Sequence, residues 1–137
     1  MSDASDRYLA LKVMMMPRDT NPYGTIFGGV LLSYIDQAGA IGARHEIARH
    51  GFPKQDIVTV AMESVEFHRP VFVGDAVSFW TERRELGTTS ITMHITVETE
   101  RDGAVIKLTQ ADVTYVAVTT KGKERRPVAL RGPSQLE

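Results

Sequence analysis

The chain has 137 residues, with 16 Lys and Arg against 17 Asp and Glu, a net charge of −1 and no cysteine. That length suits one domain able to bury roughly two-thirds of its unfolded surface in a single core. The charge balance supplies no basic field for nucleic acid, the lack of thiols excludes disulfides and a cysteine nucleophile, and no apolar run approaches the ~20 residues that span a bilayer.

The opening MSDASDRYLALKV places two aspartates ahead of the first apolar run, which is wrong for a secretory signal. A soluble cytoplasmic domain is expected, with neither nucleic acid nor membrane as a partner. Residues 1 to 7 are polar and expected to be loosely ordered. Tyr8 to Met16 is apolar enough for a strand, and Pro17 stops it. Arg18 to Ile26 reads as a loop, punctuated by Asn21-Pro22 and Gly24. A helix is predicted from Gly28 to about Arg49, ended by the glycine and proline of HGFP at 50 to 53.

From there the period changes to two. DIVTVAMESVEF (56 to 67), DAVSFWTERREL (75 to 86), SITMHITVETE (90 to 100) and AVIKLTQADVTYVAV (104 to 118) are rich in Val, Ile, Thr and aromatics and mostly alternate. The turns between them are VGD, LGTT and RDG, and Asp102-Gly103 between two strand-like runs is a hairpin signal. The order predicts a single α+β domain over 1–137, a five-stranded antiparallel sheet wrapped around one long central helix. The tail from Lys121, KGKERRPVALRGPSQLE, is charged and expected to be loosely ordered.

One residue in the helix is out of place. At about 100° per residue the surface neighbours of Asp36 are Gly29, Leu32, Ser33, Gly39, Ala40 and Ala43, while Gln37, Arg44 and His45 fall on another arc. A stripe of small residues lets another backbone or a slender ligand approach closely, and an unpaired carboxylate there is costly unless it is hydrogen-bonded or has a task. The blander reading is a hydrated or ion-paired aspartate at a subunit contact. Gly28 and Gly29 open the helix, where backbone N–H groups have no intrahelical partner and the dipole adds positive charge. Without Cβ atoms a ligand carbonyl can reach those donors, which is how an oxyanion hole is built from backbone alone. A tight turn that merely tolerates glycine is the plainer alternative.

Asn21-x-x-Gly24-x-x-x-Gly28-Gly29, followed by Asp36 in YIDQAGA, resembles the signature of hot-dog-fold acyl-CoA thioesterases of the bacterial broad-specificity type. The resemblance continues through VTVAMESVEFHRPVFVGD, LGTTSITM and ADVTYVAV, and so covers roughly residues 9 to 128 in order. It implies the hot-dog fold and hydrolysis of an acyl-CoA to a free acid and coenzyme A. It further implies that Asp36 acts as general base for water or as nucleophile, that Asn21 assists from the opposing subunit, and that Gly28 and Gly29 receive the oxyanion. Gly87, Thr88, Thr89 and Ser90 are implied to hold the CoA chain, in a dimer or a trimer of dimers. No cofactor is implied, since coenzyme A is part of substrate and product. A thioester is already activated, so an aimed, partly desolvated Asp suffices for its chemistry.

Arg69 is a candidate for a CoA phosphate, because guanidinium suits phosphate, or else a solvated charge at a strand end. KGKERR at 121 to 126 reads equally as a nucleotide contact or a solvated tail. Glu63 and Glu66 alternate out of phase, so only one faces inward, and Glu63 is the better candidate for a structural hydrogen bond there. The methionines at 14 to 16 read as core or interface filling. His45, His50, His68 and His94 show no metal-ligand spacing beyond a loose His45/His50 pair, and no metal is expected. Two rival functions use the same fold. A dehydratase needs a histidine ahead of the helix carboxylate, and none precedes Asp36 here. A non-catalytic acyl-CoA-binding module would be expected to lack Asp36.

Overall fold

A computed structural model describes residues 6–121 and 124–132. Its elements are β1 (Tyr8–Met14), a short 3-10 helix (Pro17–Asp19), α1 (Gly28–Arg49), β2 (Asp56–Phe67), β3 (Ala76–Leu86), β4 (Ser90–Arg101), β5 (Ala104–Lys121) and β6 (Glu124–Pro127). All strands lie in one antiparallel sheet of order β1-β3-β4-β5-β2, with β6 paired to β5. The single helix and the four strands after it agree with the expected α+β architecture, with bounds within one residue except that β5 runs on to Lys121. Among the described residues no helix is long and apolar enough to cross a membrane.

The alternation of β4 is complete: Ile91, Met93, Ile95 and Val97 are buried beneath α1 while the residues between them are partly exposed. β5 does the same with Ala111, Val113, Tyr115 and Ala117. Burying one face of a pleated strand fixes its register, because a slip of one residue would turn every side chain over. The helix lays Leu31, Ile35, Ala38, Gly39, Gly42, Ala43 and Ile47 onto that face.

The small residues of α1 serve the sheet. A Cβ on Gly39 would lie 2.2 Å from Tyr115 Oη, and one on Gly42 would lie 2.3 Å from Thr81 Oγ1. The stripe expected to admit a ligand or another backbone therefore admits, at Gly39, a side chain of β5, and Gly42 outside that stripe does the same for β3. Real Cβ atoms do not tolerate such distances, so the closeness of helix and sheet rests on both glycines.

Three further expectations need correction. The tail is not loose throughout: β6 pairs with the end of β5, and Leu130 beyond it is only 1% exposed. Residues 133–137 lie outside the described part, as do 1–5. β1 ends at Met14 rather than Met16; Met15 is fully buried, while Met14 and Met16 are exposed. Glu63 and Glu66 are not out of phase. β2 carries an extra residue between them, where Ser64 takes φ 55, so Glu63 faces Asp112 and Glu66 faces Gln110 on β5. Such a bulge resets the alternation and puts both carboxylates on one exposed face. It is Glu66 that is bonded, accepting from Gln110 Nε2 at 3.0 Å.

Candidate active site

Asp36 sits at the border of the buried stripe of α1, half-buried, over the row that joins Thr59 of β2, Tyr115 of β5 and Ile91 of β4. Thr59 Oγ1 donates to Asp36 Oδ1 at 2.7 Å. The Tyr115 hydroxyl lies 2.7 Å from the Asp36 backbone oxygen and 3.2 Å from Oδ1, so its one proton is shared between them. Both side-chain bonds converge on Oδ1, and Oδ2 takes no donor among the described residues. No cation pairs with the carboxylate: the ion pairs of the described residues do not include Asp36.

Tyr115 is itself 1% exposed. Burial, then the charge of Asp36, then the hydrogen bond to it push the phenol's pKa far above its ordinary value, so it stays a donor. Neither Thr59 nor Tyr115 was singled out in the sequence. Tyr115 did carry a signal: a tyrosine on the apolar face of a strand must find an acceptor for its hydroxyl, and Asp36 is the carboxylate in the small-residue stripe of the facing helix. Thr59 carried none.

The start of the helix forms a second group. The N–H groups of Gly28 and Gly29 take no acceptor among the described residues, whereas Val30 and Leu31 both reach back to the Phe27 carbonyl. Gly28 lies against the Phe67 ring, where a Cβ would make ordinary contact at 3.5 Å, and a Cβ on Gly29 would meet nothing within 4 Å. Nothing in the chain itself demands glycine at position 29. A cavity of about 380 Å³ opens here, lined by Gly28, Leu31, Phe67, Arg69 and Val71 among others. Arg69 is exposed and forms no ion pair with the described residues. The wall beyond it is pinned by Asp75, whose carboxylate accepts from Arg101 Nη2 at 2.6 Å and from the Phe72 N–H at 2.9 Å.

Asn21 precedes this group. Its Oδ1 accepts from the N–H groups of Tyr23 at 2.9 Å and Thr25 at 3.1 Å, and its Nδ2 donates to Thr25 Oγ1 at 2.8 Å. Within the chain the side chain holds its own loop, an Asx turn, and leaves Tyr23 at the tip 90% exposed.

The turn Gly87–Ser90 lies at the Asp36 end, since Ser90 adjoins Ile91 in the row described above. Gly87 N–H closes it on the Ser90 carbonyl at 2.8 Å. The fold thus brings Asp36 and the turn together at one end of the sheet. It does not bring Asp36 to Asn21, Gly28, Gly29 or Arg69 of the same chain: two helical turns, on the order of 10 Å, separate Gly28 and Gly29 from Asp36 along the axis.

Of the histidines, His68 lines the cavity beside Gly28, and the other three lie away from it. His45 stacks on Tyr8 at 3.8 Å, His50 reaches Arg83, His68 lies 3.4 Å from Glu66 and His94 bonds Asp112 at 2.7 Å. None touches Asp36 of the same chain. Among the described residues no three His, Asp or Glu are grouped to hold a metal.

The family model of the Thioesterase superfamily matches residues 23–106, a stretch that contains Gly28, Asp36 and the Gly87–Ser90 turn. The chain is 44% identical over 129 residues to the acyl-CoA thioester hydrolase YciA of Salmonella typhimurium, covering 90% of this chain and 92% of that one. It is similar in structure to a hexameric hotdog fold thioesterase of Campylobacter jejuni, with TM-score 0.73, 39% identity and coverage of 88% and 90%. A hexameric broad specificity acyl-coenzyme A thioesterase matches with TM-score 0.76 and 36% identity, over 93% of this chain and 82% of that one. In sequence, in the order of its strands and in the helix that they enclose, the chain belongs to the thioesterase superfamily and has the hotdog fold.

Proposed function

We propose that this protein hydrolyses acyl-CoA thioesters to a free carboxylic acid and coenzyme A, with Asp36 acting on the thioester carbonyl. The observation that carries the assignment is the asymmetry of the Asp36 carboxylate: Oδ1 is held by two neutral hydroxyls while Oδ2 takes no donor among the described residues. A carboxylate fixed through one oxygen presents the other in a defined direction, which is what either taking a proton from water or attacking the carbonyl carbon requires. The N–H groups of Gly28 and Gly29 receive the charge that develops on the carbonyl oxygen. The CoA chain runs along Gly87, Thr88, Thr89 and Ser90, and Arg69 meets a phosphate. Coenzyme A enters and leaves as part of the reactants, with no separate cofactor.

The separation of the two groups along α1 supports a site completed between subunits. Asp36 of one chain then faces the glycine turn and the Asn21 loop of the other. β2 is an edge strand, and Val60 and Phe67 on it are 56% and 53% exposed, with Phe27 at the helix start 50% exposed. Pairing at that edge would cover both the open ladder and the apolar rim. The relatives solved as hexamers fit three such dimers.

Asp36→Asn tests the assignment, because it keeps the shape and removes charge and basicity. With free thiol followed across acyl-CoAs of graded chain length, kcat is expected to fall roughly 100- to 10,000-fold while the oligomeric state is kept. A variant with wild-type kcat on every substrate would show Asp36 to be structural.

A further inference from the structure

We infer that Gln55 and the segment Val128–Gly132 are the rear support of the Gly87–Ser90 turn, and that Gln55 is a positioning residue for binding the CoA chain. The inference rests on the proposed function in one respect only, the ligand of the turn. A four-residue turn at the end of a sheet is ordinarily among the most mobile parts of a fold. Here both central carbonyls are held from behind. The Leu130 N–H donates to the Thr88 carbonyl at 2.8 Å, and the Ala117 N–H donates to the Thr89 carbonyl at 2.8 Å. The Val128 N–H reaches the Ala117 carbonyl at 2.9 Å, so β6 and its continuation take over the place beside β5 that β4 vacates when it turns away.

The trans peptide plane converts this support into aim. A carbonyl and the N–H of the next residue point in opposite directions across one rigid plane. Holding the Thr88 oxygen toward Leu130 therefore directs the Thr89 N–H away from it. The N–H groups of Thr88 and Thr89 take no acceptor among the described residues. They are the donors that an amide carbonyl or a phosphate oxygen of the CoA chain would meet.

The support is in turn anchored on the far end of α1. Gln55 Nε2 donates to the Ala129 carbonyl at 2.5 Å and to the Leu130 carbonyl at 3.1 Å. Gly132 lies so close to Pro53 that a Cβ there would stand 2.8 Å from its Cγ. Leu130 is buried between these contacts. One side chain, in the loop that follows the helix, thus fixes two successive carbonyls of the segment whose N–H fixes the turn.

Gln55→Leu keeps the size and removes both donors. The expected result is a KM for acyl-CoA about tenfold higher, the worth of roughly one hydrogen bond, with kcat within about twofold and faster amide exchange over residues 86–91. Thr89→Tyr and Ser90→Tyr serve as comparison, since they block the turn directly. A raised KM in those variants, with KM and exchange unchanged in Gln55→Leu, would overturn the inference and leave the proposed function standing. A fall in kcat with KM unchanged would also overturn it, as general damage to the fold. Should the wild type hydrolyse no acyl-CoA, the proposed function fails, and the exchange measurement alone decides whether Gln55 positions the turn.

Discussion

The Tyr115 hydroxyl and the Asp36 carboxylate stand 3.2 Å apart although 79 residues separate them in the chain, and the same hydroxyl is 2.7 Å from the Asp36 backbone oxygen. One phenol thus grips both the side chain and the main chain of the residue assigned to the chemistry. Tyr115→Phe removes that grip and keeps the ring in the core. The expected outcome is a kcat lower by about 10- to 100-fold, the scale of one hydrogen bond to a charged group, with KM little changed. Steady-state hydrolysis of one acyl-CoA by the two proteins checks it, and an unchanged kcat would make the contact purely structural.

Gly39→Ala acts on the same pair from the helix side. A methyl group 2.2 Å from Tyr115 Oη forces the ring or the helix to shift. Overpacking of this kind costs about 1–3 kcal/mol, more than the ~1 kcal/mol that alanine gains over glycine in a helix. Denaturant unfolding is expected to show a net loss of stability, and kcat is expected to fall with it. In the double variant with Tyr115→Phe, part of the stability loss is recovered, because the atom in closest conflict is gone.

Asp75 supplies the pH dependence. Burial raises its pKa, but the hydrogen bond from Arg101, the Phe72 N–H and the charge of Arg101 outweigh that and leave it below the ordinary value. A carboxyl with a lowered folded pKa stabilises the protein fully above the unfolded value near ~4, and the contribution disappears as pH falls through the folded value. Asp75→Asn is therefore expected to be less stable than wild type at pH 7 by about 2 kcal/mol. The gap between the two proteins should close as pH falls below the ordinary carboxylate range, and a gap that stays constant throughout the acid limb would refute the assignment.

Mixing two inactive proteins tests the shared site. Asp36→Asn and Asn21→Ala each disable both sites of a symmetric dimer. After exchange of subunits in equal amounts, half of the dimers are mixed and each has one intact site, so about a quarter of wild-type activity should return. A site contained in one chain would return none. Light scattering on the separate proteins confirms that each still assembles.

The architecture was legible because its signals are local. The bounds of α1 follow from Gly28 at one end and Gly51-Phe52-Pro53 at the other, and β4 alternates without interruption. β6 was not legible, since its residues Glu124–Pro127 are three charged groups and a proline, and only pairing with β5 makes them a strand. The bulge at Ser64 left no composition cue, so the phase of Glu63 and Glu66 was misread. Asp36 stood out as a carboxylate among small residues. Its partners did not, because Thr59 and Tyr115 meet it only after β2 and β5 have paired. The stripe around Asp36 was visible, but not that Gly39 within it makes room for Tyr115.

The Asp36 carboxylate is held by hydroxyl dipoles at contact distance, with no ion pair to it among the described residues. Dissolved ions weaken attraction between separated charges, on a scale of about 10 Å at 0.1 M, but they cannot enter between a carboxylate and a hydroxyl that already touch. The orientation of the reacting group is thereby insulated from ionic strength. A phosphate held by an exposed arginine such as Arg69 has no such insulation. With Arg69 on a phosphate, as proposed, salt divides the two duties of the site, loosening the grip on the nucleotide end of the substrate while leaving the aim of the carboxylate as it was.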